Sequence, residues 1–369
     1  VTSIATSTLA VTSTDLPDVA ELADSARPAL SVWMPTEREL PDSAARLEAR
    51  WRAARQQLSD AGAPDEVLDD AERLLDELRP EASTAAVVTD GTTSIAMAVD
   101  HDLPELTRWD ALPALAPWVE WHQGSPPGVL AVVDRTGADL FATGSDLPVA
   151  VVEGETGPVI RRSAPGGWSQ RRFQQRAEES WRANGALVAE ELAAAAGEVG
   201  ARVIVMAGDV RALKEVRDQL PAELADLVRL AAGGRGEGST GHMEDDTRRW
   251  YRTAVAEDAV TLIRQFEEQL GAGHRAAAGL DSVTERLRAA AVDTLLVHPA
   301  QLEGRRLLTQ RNAPSMVGTD AAQLPGDDLV DADATDALIA AAWASGAGVR
   351  VVPRLSSLQD GVGAMLRFP

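Results

Sequence analysis

Val129-Leu-Ala-Val-Val133, Asp134-Arg-Thr-Gly137 and Ala138-Asp-Leu-Phe-Ala-Thr143 are the stretch that decides the fold. Two apolar runs flank a tetrapeptide rich in turn formers. Asp offers a local acceptor and Gly the conformational freedom a reversal needs, so the stretch reads as a β-hairpin. Working outward, Leu147 to Val152 adds a strand, and Arg171 to Ala196 has the spacing and composition of a helix. Arg202 to Ala207 reads as a short buried strand, Asp209 to Gln219 as a helix, Leu227 to Ala232 as a strand and Asp245 to Leu270 as a long helix. A hairpin followed by alternating helices and strands predicts an α/β domain on a mixed sheet.

Pro and Gly clusters bound this region. Gln123-Gly-Ser-Pro-Pro-Gly128 and Gly271-Ala-Gly273 stop regular structure, and three domains are expected: 1–124, 125–270 and 271–369. The first opens on a Thr/Ser-rich tail. It then has a strand at Ala29 to Met34, helices at Arg46 to Gln57 and Glu66 to Leu78, and a hairpin of Ala85 to Val88 and Ser94 to Val99 about Asp90-Gly91. Its Trp-rich stretch, Leu103 to Trp121, reads as core and linker packing. The third has a helix at Ser282 to Ala290, a strand at Val292 to Val297, a helix at Ala332 to Ser345 and strands at Val349 to Val352 and Ala364 to Phe368. That is the pattern of a small α/β sandwich.

Composition removes several function classes. With no Cys among 369 residues there are no disulfides, no thiol nucleophile and no thiolate metal site, which fits a reducing cytoplasm. The five His are scattered, so no local pair of metal ligands is expected, and no cofactor is implied. No apolar run approaches the ~18 residues of a membrane span, and Val1 to Ala10 does not read as a secretory signal. Phosphate-loop, nucleophile-elbow and His-Glu-x-x-His motifs are absent. Gly233-Gly-Arg-Gly-Glu-Gly238 lacks dinucleotide-fingerprint spacing and reads as a loop.

The net charge of −22 argues against a general nucleic-acid binder. Its distribution is uneven. Residues 1–124 carry 23 acidic and 9 basic side chains, whereas 161–182 carry six Arg against two Glu. Such a cluster is either a solvated helix face or a local phosphate-contacting patch inside an acidic surround.

Ala164-Pro-Gly-Gly-Trp-Ser-Gln-Arg-Arg-Phe173 lies within that cluster. Two glycines permit close backbone approach, and a helix start beside clustered guanidiniums favours phosphate oxygens. Trp168 is a loop residue placed to stack on a base, or else a turn residue folded onto the sheet. The segment resembles the central loop of the archaeo-eukaryotic class 1 release factors and Pelota, which reads Gly-Gly-Gln-Ser-Ala-Leu-Arg-Phe. Gly166-Gly-Trp-Ser-Gln-Arg-Arg-Phe173 matches it without gaps at both glycines, Ser169, Arg172 and Phe173. Val283 to Val297, with its Val-Asp-Thr-Leu-Leu strand, and Asp360 to Phe368 resemble the C-terminal domain of the same family. The resemblance covers about residues 125–369 and is similar in particular to the bacterial, actinobacterial branch that includes the hibernation factor Balon.

The resemblance implies a divergent α/β N-terminal domain, an RNase H-like middle domain and a ribosomal-protein-like α/β sandwich at the C-terminus. It implies a tRNA mimic in the ribosomal A site, working with a translational GTPase of the elongation-factor class. The residues placed at rRNA near the peptidyl transferase centre are then Arg161, Arg162, Gly166, Gly167, Trp168, Ser169, Gln170, Arg171, Arg172 and Arg176. Trp168 stands where release factors carry the glutamine that places a water at the ester, so peptide hydrolysis is not expected. Gln170, two residues later, imitates the spacing of quality-control peptidyl-tRNA hydrolases and keeps an enzyme as the alternative. No Asn-Ile-Lys-Ser stop-codon reader occurs.

Overall fold

The computed structural model describes residues 9–25, 27–36, 43–78, 84–99, 103–142, 149–153, 167–231 and 240–368, with side chains left aside at 43–44, 167–181 and 240–248. The expected Thr/Ser tail before Leu9 and the Gly233 to Gly238 loop lie outside these residues. The chain forms two compact units. Residues 124–258 make one, and 1–123 together with 259–369 make the other.

The first segment contains α1 (Pro17–Asp24), β1 (Ala29–Pro35), α2 (Ser43–Asp60), α3 (Asp65–Leu78), β2 (Thr84–Thr89), β3 (Ser94–Val99), β4 (Leu106–Asp110) and α4 (Ala116–Gly124). Its antiparallel sheet has the order β3-β2-β1-β4. The β2–β3 turn forms as expected: Gly91 takes φ +83°, and the Asp90 carboxylate accepts from the amides of Thr92 and Thr93. Leu30, Val32 and Met34 of β1 face α2 and α3, meeting Trp51, Leu58, Leu68 and Leu75. Ala29 and Trp33 point to the opposite face, where they join a second core. A central strand buried on both faces reads as one unbroken apolar run, which is what Ala29 to Met34 is.

The middle unit contains β5 (Gly128–Val133), β6 (Gly137–Ala142), β7 (Ala150–Glu153), α5 (Gly167–Glu198), β8 (Val203–Gly208), α6 (Val210–Gln219), α7 (Ala222–Ala225), β9 (Val228–Ala231) and the start of α8 (Thr240–Ala272). The sheet order is β7-β6-β5-β8-β9. β5, β8 and β9 are parallel, while β6 runs antiparallel to both of its neighbours. Alternation decides the faces: Val129, Ala131 and Val133 pack with Ile204, Met206 and Val228 beneath α5 and α6, which contribute Val188, Leu192, Leu213 and Val216.

The last segment contains β10 (Ala276–Ala278), α9 (Leu280–Arg288), β11 (Val292–Val297), α10 (Pro299–Leu302), β12 (Arg306–Gln310), β13 (Ala313–Gly318), β14 (Leu329–Asp333), α11 (Ala334–Ala344), β15 (Gly348–Val351) and β16 (Val362–Leu366). It builds sheets of order β10-β16-β11-β15 and β13-β12-β14. The helix expected from Ala332 starts at Ala334. Asp333 accepts from the amides of Thr335 and Asp336, and a capping residue lies outside the helix it caps. Every residue of α11 from Ala334 to Trp343 is buried, the condition of a helix at the centre of a core. Leu262 and Phe266, from the end of α8, cover the other face of β11 and β16. The Cβ of any larger residue at 363 would stand 2.6 Å from the Phe266 ring, so Gly363 permits this packing.

The outer segments of the chain, expected as separate domains, share one core. Trp33, Leu115, Trp118 and Val119 lie in the same cluster as Leu287, Leu338 and Trp343. Trp33 and Trp118 meet edge to face, centroids 4.8 Å apart. Val11 exchanges both backbone hydrogen bonds with Val349, and the Gln123 side-chain amide does the same with Val351. Together they cover the outer edge of β15, which would otherwise offer a template for pairing.

Candidate nucleic-acid interface

The site is built around the start of α5. The sheet positions that helix through a polar cluster at the carboxyl ends of β5 and β8. Asp134 accepts from the amides of Thr136 and Gly137 and closes the β5–β6 turn. The Arg135 guanidinium donates to Asp209 at 3.0 Å, and the Arg135 carbonyl accepts from the buried Asn184 amide of α5 at 3.0 Å. Asp209 also caps α6 through the amides of Arg211 and Ala212. Desolvation at Asp209 is outweighed by these amides and by Arg135, which hold its carboxyl below the usual carboxylate range.

From Asn184 onward α5 packs on the sheet, with Val188, Ala189, Leu192, Ala195 and Ala196 buried. The helix starts much earlier, at Gly167. At 1.5 Å per residue its first turn lies roughly 25 Å along the axis from Asn184. Trp168, Ser169, Gln170, Arg171, Arg172 and Arg176 therefore occupy its opening turns, so Trp168 belongs to a helix and not to a loop ahead of one. Glycine is a poor interior residue but a tolerated terminus, and the Gln-, Arg- and Glu-rich run after it sustains a helix back to that point. Arg161, Arg162 and Gly166 lie outside the described residues.

The electrostatics of this start break a local rule. Helix N-termini carry partial positive charge and favour carboxylates. α3 opens with Asp65 and Glu66, and α6 and α11 are capped by Asp209 and Asp333. α5 has no acidic residue in its first turn and places Arg171, Arg172 and Arg176 near the positive end. The first amides of a helix lack intrahelical acceptors and carry partial positive charge, and three arginines follow in the sequence within the next turns, a combination that favours an anion. The helix spacing was legible in the sequence. The Asn184 and Arg135 anchor was not, because it joins positions distant in the chain. Among the described residues no group of His, Asp or Glu is placed to hold a metal, and no helix is long and apolar enough to cross a membrane.

Residues 127–272 match the model of bacterial archaeo-eukaryotic release factor family 2. The uncharacterized protein Rv2629 of Mycobacterium tuberculosis H37Rv is 30% identical over 326 residues, covering 83% of this chain and 84% of that protein; its counterpart in strain CDC 1551 matches equally. Among solved structures, the archaeal translation termination factor aRF1 is 18% identical with a TM-score of 0.26, covering 98% of this chain and 99% of that one. Archaeoglobus fulgidus Pelota is 17% identical with a TM-score of 0.31, covering 78% and 79%. By its sequence relatives and the match of its middle region, the protein belongs to the bacterial archaeo-eukaryotic release factor family.

Proposed function

We propose that this protein is a ribosome-binding tRNA mimic that occupies the A site in hibernation or rescue, without hydrolysing peptidyl-tRNA. The observation that carries the proposal is the acid-free, Arg-bearing start of α5 in a family named for release factors. A helix start that favours anions, with arginines before and after it in the sequence, suits contact with rRNA phosphates near the peptidyl transferase centre. Gly166 to Arg172, Arg161, Arg162 and Arg176 are the proposed RNA contacts. The order of the five-stranded sheet, with β6 alone antiparallel, supports an RNase H-like middle domain. A translational GTPase of the elongation-factor class is the proposed partner, and the cytoplasm the proposed compartment.

Trp168 at the release-factor glutamine position supports the absence of hydrolysis, because an indole does not hold a water as an amide does. The test is co-sedimentation with 70S ribosomes across a salt series, paired with release of labelled peptide from a stalled complex. The proposal expects binding that weakens with salt, and no peptide release by wild type or by a Gln170→Ala variant. Release by wild type that disappears in Gln170→Ala would overturn it in favour of a peptidyl-tRNA hydrolase.

A further inference from the structure

The second helix on the α5 side of the sheet carries a feature the α5 site does not use. Arg211, Lys214 and Arg217 recur at intervals of three along α6, and all three are exposed. Elsewhere in the molecule Arg55, Arg73, Arg135, Arg229, Arg305 and Arg306 are tied to carboxylates. Among the described residues no ion pair involves the three cations of α6. The helix buries Leu213 and Val216. It turns Glu215 and Gln219 toward α5, where Glu215 packs beside Gly185 and Gln219 donates to the Arg182 carbonyl. At 100° per residue the cations fall on the flank away from α5, with Asp218 as the one carboxylate of α6 beside them and Val210, 81% exposed, as its one apolar residue.

We infer that this flank of α6 is a second RNA-contacting surface, in which Arg211, Lys214 and Arg217 bind backbone phosphates of ribosomal RNA. The inference rests on the ribosome-binding reading and extends it to a second element of the same unit. Charge decides the class of partner. A protein interface of ordinary kind has an apolar core, and one valine does not make one. Nucleic-acid interfaces are polar and strongly positive, and a row of unpaired cations about 4.5 Å apart along the axis faces a polyanion without needing such a core. In a protein of net charge −22, a local excess of cations of this kind, three against the single Asp218, gives local attraction without general affinity for RNA.

Lys214 is the only lysine of the chain, which makes the surface directly readable. Full-length protein, free or bound to purified 70S ribosomes, is treated with an amine-acylating reagent, and acylation of Lys214 is followed by mass spectrometry. We expect Lys214 to be protected in the bound state. An Arg211→Gln/Lys214→Gln/Arg217→Gln variant should bind more weakly, with the slope of log affinity against log salt reduced by about 2–3. The charge-preserving Arg211→Lys/Arg217→Lys variant should retain both affinity and slope, and thermal melting checks that each variant is folded. Wild type that fails to sediment with ribosomes overturns the ribosome-binding reading itself. Wild type that binds while Lys214 stays fully reactive and the triple variant keeps its slope overturns only the α6 surface. Weaker binding with an unchanged slope assigns the contact to a ribosomal protein and overturns the phosphate assignment.

Discussion

Asp209 ties three elements with one carboxylate. It caps α6, pairs with Arg135 of the β5–β6 turn and, through Arg135, reaches the Asn184 amide that seats α5. Asp209→Ala should cost about 1–2 kcal/mol of stability, read by urea unfolding, whereas Asp209→Asn, which keeps the cap, should cost a few tenths. Equal losses in the two variants would show that the cap is not the source. Asp336 is the opposite case. It is buried in α11, accepts from the Leu115 amide at 2.7 Å and pairs with Arg108 of the first segment. Burial pushes its carboxyl up to about 7, against the attraction of Arg108 and with help from the neighbouring Asp333. The unfolded chain releases that proton near 3.8, so between pH 4 and 7 the folded state binds it more tightly. Stability therefore falls as pH rises through this window, by at most about 1.4 kcal/mol per pH unit from this group. Asp336→Asn keeps the acceptor and removes the titration. Its melting temperature should vary less between pH 5 and 7 than that of wild type, and parallel profiles would refute the assignment.

At the scale of elements, α5 separates what helps a helix from what serves a site. Arg171 and Arg172 stand at the wrong end of the dipole. Arg171→Glu/Arg172→Glu should leave the protein as stable or more stable, by about 0.3–1 kcal/mol per position. The same variant should lose ribosome co-sedimentation. A variant less stable yet still binding would mean that the arginines serve the fold. The sequence showed α5 because a long periodic run announces a helix. It did not show β4 or the β12–β14 sheet. Leu106-Thr-Arg-Trp-Asp110 is half-buried at every position, so no alternation marks it as a strand. Its Arg108 and Asp110 are there because distant partners, Asp336 and Arg306, complete them.

The whole molecule turns on the second face of β1. Ala29 and Trp33 need a cover, and the last segment supplies it with the buried helix α11 and its neighbours. A fragment of residues 271–369 should therefore remain expanded or aggregate when produced alone, and residues 1–123 should fare no better. Mixed with a fragment of residues 259–369, residues 1–123 should recover a cooperative melt by circular dichroism. A cooperative melt from the 271–369 fragment alone would show that the shared core is dispensable. By itself the sequence determined the hairpin and most of the helices and strands of the middle unit, because these are written in local periodicity and turn chemistry. Only the tertiary structure decided that the two outer segments build one core, that Arg108 and Asp336 meet across 228 positions, and that among the described residues no ion pair involves the three cations on α6. An apolar run states that a face will be buried but not what will bury it, and a charge pattern does not say which carboxylates lie within reach.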